Sequence, residues 1–234
     1  MNVKGSIAAI KTAFEDSVVQ RNSEDVTAIA WAVMYLIGGF VLGTARVLGT
    51  AGPFGIAIVA AAGAGVNGVC CLLGAALGYI VSGGLSWGIR YLAAVVIVFT
   101  VEFSFQDTKL YKKTLFAPTT AAAVTLATGV LSSFSQILSD APTIAVVFLE
   151  TVLAFGVSYF IAEALKKDEP TTESAEIRRS TAVLITVAVF MMALSRLVLF
   201  DTLSVGRFAA VLIIMMSSLR CGMMTGCTVG TVFG

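Results

Sequence analysis

Few side chains in this sequence could do chemistry, and those few sit in or beside apolar runs. Glu150 is the foremost, ten residues into an apolar stretch over 141–165 and near mid-depth if that stretch crosses a bilayer. An ionisable group at that depth costs about 2.5 kcal/mol or more, so it is a site candidate by default. Three chemistries fit it: a proton or cation site in a transporter, one half of a buried pair with an arginine, or a protonated carboxyl bonded to a neighbouring helix. Arg46, Arg90 and Arg207 fall at expected helix ends, where a guanidinium anchors by snorkelling. Arg196 and Asp201 lie near the end of their own span and reach the interface in the same way. Glu102, close to Lys109 at a span end, calls for no special role, and Asn67 suits a turn between short helices.

Other chemistries are excluded by what the sequence lacks. It has no histidine, which removes His-based triads, His metal sites and His general bases. The cysteines Cys70, Cys71, Cys221 and Cys227 show no Cys-x-x-Cys spacing and stand in apolar stretches, where they read as small buried residues. No catalytic, cofactor-binding or metal-ligating set can be assembled.

The elements that must position these groups are membrane helices. Of the 234 residues 58% are hydrophobic and 12% charged, and the mean hydropathy is +0.95. Too little charge is present to coat a soluble fold of this size, and disorder needs still more. A net charge of +1 gives no reason to expect a nucleic-acid partner. The expected fold is all-α, a polytopic helical membrane bundle over 26–234 in contact with the lipid bilayer. Long apolar runs cover Val26–Ala45, Gly88–Phe105, Thr114–Phe134, Ala141–Leu165 and Thr181–Phe200. Two pairs of shorter runs, Gly52–Ala64 with Val69–Val81 and Val205–Leu219 with Gly222–Gly234, bring the expected count to about eight or nine segments. The last is too short for a crossing and reads as truncated.

Residues 1–25 form a cytoplasmic N-terminal segment in which Val3, Ile7, Ile10, Phe14 and Val18 share one helical face. It reads as an interfacial amphipathic helix, with a frayed polar tail as the other reading. With the N-terminus inside, eleven of the fifteen Lys and Arg fall in inner segments. Arg46, Arg90, Arg196 and Arg207 fall outside, and this bias favours N-inside. The pair at 52–81 is either two short crossings or a re-entrant hairpin. The loop Lys166–Arg179 reads as a solvated connector.

Glycine spacing marks where helices meet. Gly39/Gly43, Gly74/Gly78 and Gly84/Gly88 are GxxxG pairs, and Gly222, Gly226, Gly230 and Gly234 repeat every four residues. In lipid, close backbone approach over small residues supplies much of the attraction between helices. The C-terminal stripe therefore faces another helix, of this chain or of a second copy, and self-association is expected.

Three stretches taken together carry a resemblance. GGFVLGTARVLGTAGPFGIAIVAA at 38–61 places Gly39, Gly43, Arg46, Pro53 and Phe54 in order. FLETVLAFGVSYFIAEAL at 148–165 carries Glu150 before a small and aromatic run. GRFAAVLIIMMSSLRCGMMTGCTVGTVFG at 206–234 holds Gly226, Cys227, Thr228, Val229 and Gly230. In this order they resemble the N-terminal membrane region of the stage II sporulation protein E family of endospore-forming bacteria. The stretch between Arg46 and Pro53 is short for the family, and Arg220–Met224 departs from its pattern. The resemblance implies about ten spanning helices, a cytoplasmic central region and a PPM-type serine/threonine phosphatase domain. That enzyme dephosphorylates an anti-sigma-factor antagonist and so activates the forespore sigma factor. It also implies a place in the bacterial cytoplasmic membrane at the polar division septum, with the tubulin-like division protein and septal proteins as partners. The family's manganese or magnesium ligands are soluble-domain aspartates that 1–234 does not match. On this likeness the chain is the anchor and localisation module, with no enzyme activity or cofactor of its own and the phosphatase domain beyond it. A small permease using Glu150 and a glycine-zipper scaffold are the alternatives.

Overall fold

The computed structural model describes residues 26–47, 51–111, 113–133, 141–166 and 173–195, with scattered positions between 198 and 231. Residues 1–25, Arg196, Gly222 and Gly226, and the readings placed on them, lie outside the described residues. The described chain is helical: α1 (Val26–Thr44), α2 (Phe54–Ala62), α3 (Val66–Gly84), α4 (Trp87–Phe105), α5 (Phe116–Ser132), α6 (Ala141–Ala164) and α7 (Glu173–Leu194). Departures among the described residues are a two-residue antiparallel pairing of Val198–Leu199 with Leu203–Ser204 and an isolated bridge between Val47 and Ala51. Five of the helices, α1, α3, α4, α6 and α7, are long and apolar enough to cross a membrane. This matches a multi-pass membrane protein.

Two boundaries and the role of one glycine differ from the sequence reading. The short run at Val69–Val81 grows into a nineteen-residue helix of membrane length, Val66–Gly84. Helix α7 starts at Glu173 rather than Thr181, so the polar connector is shorter than expected. Glu173 and Glu176 occupy its first turn, where the positive end of the helix dipole stabilises carboxylates. Gly84 is not half of a helix-packing pair with Gly88. Its φ of +69° breaks the continuous run Val66–Phe105 into α3 and α4, and a Cβ built there meets nothing within 4 Å. A side chain in that left-handed region would cost about 1–2 kcal/mol, so the glycine serves a turn.

Helices α1 and α3 run parallel in direct backbone contact. A Cβ placed on Gly39 would lie 3.0 Å from the Ala75 amide nitrogen, and one on Gly43 2.6 Å from the Ala75 carbonyl oxygen. From the other side, Gly74 faces Leu36 and Phe40, and Gly78 faces Phe40 and Gly43. Two GxxxG pairs thus press against each other. Further along, the Arg46 guanidinium reaches the Ser82 carbonyl, so residue numbers rise together along both helices.

That parallel arrangement fixes what lies between. The chain leaves α1 at one end of the bundle and must return to the other before α3 begins, and α2 makes the return. Gly52 lies against Tyr79 and Trp87 at the far end, Ile58 meets Gly38 midway, and Gly63 meets Tyr111 at the near end. Nine residues of helix extend only about 14 Å, so non-helical residues beside it must cover the rest. Irregular backbone at such depth survives only when protein surrounds it. Here Ala51, Gly52, Pro53 and the first seven residues of α2 are all buried, and α2 is enclosed by α3, α5 and α6. The core is centred on it, through Phe54, Ile56, Val59, Tyr79, Val95, Val98, Ala154 and Ile161.

Candidate functional site: a polar network around the broken crossing

A nine-residue helix with non-helical flanks leaves backbone donors and acceptors without helical partners. Their bonding in lipid must come from side chains, and here three tyrosines supply it. The Tyr79 hydroxyl donates to the Gly52 carbonyl at 2.6 Å and accepts from the Ile56 amide at 3.2 Å. Tyr91 accepts from the Gly52 amide at 3.2 Å, and Tyr111 accepts from the Ala64 amide at 3.3 Å. Val47 and Ala51 close the entry turn with a reciprocal pair of backbone bonds at 2.7 and 3.0 Å. Gly55 permits this arrangement, since a Cβ there would stand 2.6 Å from the Tyr79 hydroxyl.

Glu150 enters the same network. One carboxylate oxygen accepts the Tyr91 hydroxyl at 2.5 Å, and the other accepts the Arg90 guanidinium. Glu150 is 1% exposed, while the Arg90 side chain keeps 20%. Of the three readings open for Glu150, the geometry is that of a buried pair with an arginine, extended by a tyrosine. A Cβ on Gly129 would fall 2.9 Å from Arg90 Nη2 and 2.8 Å from Val147, so the glycine leaves room for the guanidinium between α5 and α6. Continuous bonding thus runs from Arg90 through Glu150, Tyr91 and Gly52 to Tyr79 and Ile56. It joins α6 to α4, α2 and α3.

Aromatic rings cover the network. Tyr79 and Tyr91 stack with centroids 5.1 Å apart, and Trp87 lies 4.6 Å from Tyr91. Arg46 stands over Trp87 at 4.0 Å while bonding the Ser82 carbonyl near the end of α3. The expectation for Arg46 and Arg90 was simple anchoring at helix ends. Arg46 instead caps the C-terminal carbonyls of α3, where a cation meets the negative end of the dipole, and Arg90 turns inward to Glu150. Arg207 lies outside the described residues.

At the opposite end of the bundle, Glu163 accepts Lys166 at 2.5 Å and Arg178 at 2.8 Å, tying the end of α6 to the start of α7. Glu102, 1% exposed, has an oxygen with no hydrogen-bond partner among the described residues, and the residue is one of those lining a cavity. Among the described residues, a Cβ built on Gly230, of the C-terminal stripe, would lie 3.9 Å from Ile214. The described residues hold no group of three or more Cys, Asp or Glu placed to bind a metal ion.

Sequence reasoning missed Tyr79, Tyr91, Tyr111 and Glu163. The partners of the tyrosines lie 23 to 59 positions away, so no local spacing marks them, although Tyr79 stands in a run otherwise free of polar groups. Glu163 and Lys166 are three apart, a spacing that is legible on a helix. Replacing Tyr79 by Phe is expected to cost about 1–3 kcal/mol, because the Gly52 carbonyl and Ile56 amide remain buried without partners. Unfolding of the purified variant in detergent, followed by tryptophan fluorescence, measures it. No family model, curated protein or solved structure matches the chain.

Proposed function

We propose that the chain is a membrane anchor that positions a partner domain and moves no solute through Glu150. The observation that carries this reading is the occupancy of Glu150: each carboxylate oxygen already accepts a bond from within the chain, from Arg90 and from Tyr91. A transporter's coupling carboxylate needs to exchange partners with a proton or cation. This one is already bonded to an arginine and a tyrosine of its own chain.

The bundle is read as part of an eight- to nine-segment membrane domain in the bacterial cytoplasmic membrane, N-terminus inside. Its basic end supports that orientation. Lys113, Lys166, Arg178 and Arg179 gather with the start of α1 and the α4–α5 connection, as cytoplasmic loops do. The resemblance over 38–61, 148–165 and 206–234 supports the finer reading. On it, the chain is the localisation module of a sporulation serine/threonine phosphatase, held at the polar septum with the tubulin-like division protein as partner. A glycine-zipper scaffold packed through the C-terminal stripe is the second reading; Gly39, Gly43, Gly74 and Gly78 are already paired with one another within the chain and are not needed for it.

Two measurements test the reading. A fluorescent fusion of residues 1–234 in an endospore former is expected to collect at the polar septum, and uniform peripheral fluorescence would contradict septal targeting. In proteoliposomes the wild-type chain is expected to give no proton or cation flux above empty vesicles. Flux that disappears in Glu150→Gln would overturn the anchor and establish a permease.

A further inference from the structure

At the basic end of the bundle one buried carboxylate oxygen has no hydrogen-bond partner among the described residues. Glu102 is 1% exposed, and its Oε1 bonds nothing among the described residues. Leaving a buried acceptor unmade is costly, and more so when it carries charge. Glu102 is among the residues that line a cavity of about 210 Å³, far larger than a single water needs. Its other polar walls come from Tyr111, Lys113, Thr114 and Lys166, all from the α4–α5 connection or the end of α6. Lys166 also bonds Glu163 and Thr114, and Lys113 is exposed at the rim. A negative floor beneath a positive rim matches a zwitterion presented cation first.

The surroundings say which zwitterion. Phe103, Phe105, Leu110 and Leu115, near Glu102 and the rim residues in sequence, are each 40% exposed or more, a surface suited to acyl chains. We infer that this cavity binds the headgroup of phosphatidylethanolamine. Its ammonium is accepted by Glu102 and its phosphate is held by Lys113 and Lys166. Basic pockets at the cytoplasmic ends of membrane helices take lipid phosphates; the carboxylate adds selection for a primary ammonium over a neutral or purely anionic headgroup. The inference rests on the membrane reading and goes beyond it by naming a lipid.

The purified full chain in detergent is titrated with short-chain phosphatidylethanolamine, short-chain phosphatidylglycerol and soluble phosphoethanolamine, and bound adducts are counted by native mass spectrometry. One phosphatidylethanolamine is expected to bind per chain, more tightly than phosphatidylglycerol. Glu102→Gln should weaken it by about tenfold or more, as loss of a charge-assisted bond requires, while leaving the phosphatidylglycerol affinity unchanged. Lys113→Gln, on an exposed residue, keeps the test independent of folding and should weaken both lipids. Soluble phosphoethanolamine binding as tightly as the lipid would assign the site to a free zwitterion instead and overturn the lipid. Equal affinities for the two lipids, or a phosphatidylethanolamine affinity indifferent to both substitutions, would also overturn it. Failure of the membrane reading looks different: the chain would then purify from the aqueous fraction without detergent.

Discussion

Replacing Glu150 by leucine is expected to destabilise the folded chain by about 3–5 kcal/mol, the cost of stranding one partner of a buried ion pair. The substitution leaves the Arg90 guanidinium facing apolar side chains and removes the acceptor of the Tyr91 hydroxyl, which in turn orients the Gly52 amide. Damage should therefore spread to the entry of α2. The double variant Glu150→Leu with Arg90→Met separates this from a simple loss of volume. Well-packed apolar residues in place of a buried pair are often neutral or stabilising, so the double variant is expected to recover the larger part of the loss. Unfolding in detergent, read through tryptophan fluorescence, gives all three stabilities. A double variant no better than Glu150→Leu alone would mean that the pair is not what holds α4 to α6.

The second large effect is expected at Gly74. A Cβ there runs into the Leu36 carbonyl and the Phe40 amide of α1, and backbone cannot swing aside as a side chain can. Gly74→Leu is expected to cost at least about 3 kcal/mol, beyond the usual range for an overfilled core, and to separate α1 from α3. Gly156 supplies the control. It lies within α6, and a Cβ built there meets nothing within 4 Å among the described residues. Gly156→Leu should be neutral or stabilising by up to about 1 kcal/mol through helix propensity. Equal losses at the two positions would show that the effect is generic to glycine in these helices.

Sequence made some of this legible. The pairs Gly39/Gly43 and Gly74/Gly78 stood out because close approach in lipid requires small residues four apart, and the structure sets them against each other. The long apolar runs returned as helices within a few residues of their expected ends, apart from α7. The same four-residue spacing misled at Gly84, where the backbone uses glycine for a left-handed turn and not for contact. Spacing alone does not distinguish those uses. The run at 52–64 could be read as a crossing or a re-entrant half, because its outcome depends on the direction of α3 relative to α1. Its bonds to Tyr79, Tyr91 and Tyr111 link residues 23 to 47 positions apart, beyond any local pattern. Glu150 was the most conspicuous residue in the chain and carried three readings. Choosing among them needed the position of Arg90, sixty residues earlier.

The path of the chain is most directly tested by sidedness. α1 and α3 run parallel only if residues 45–65 traverse the whole bundle, which puts Val66 at the same end as Lys109 and opposite Ser132. Single cysteines at Val66, Lys109 and Ser132, in a background where Cys70, Cys71, Cys221 and Cys227 are replaced, can be labelled in intact cells and in inverted vesicles with a membrane-impermeant maleimide. Val66→Cys and Lys109→Cys are expected to react only in inverted vesicles, and Ser132→Cys only in intact cells. Labelling of Val66→Cys from the face opposite Lys109→Cys would contradict the return of α2 and, with it, the network built around that helix.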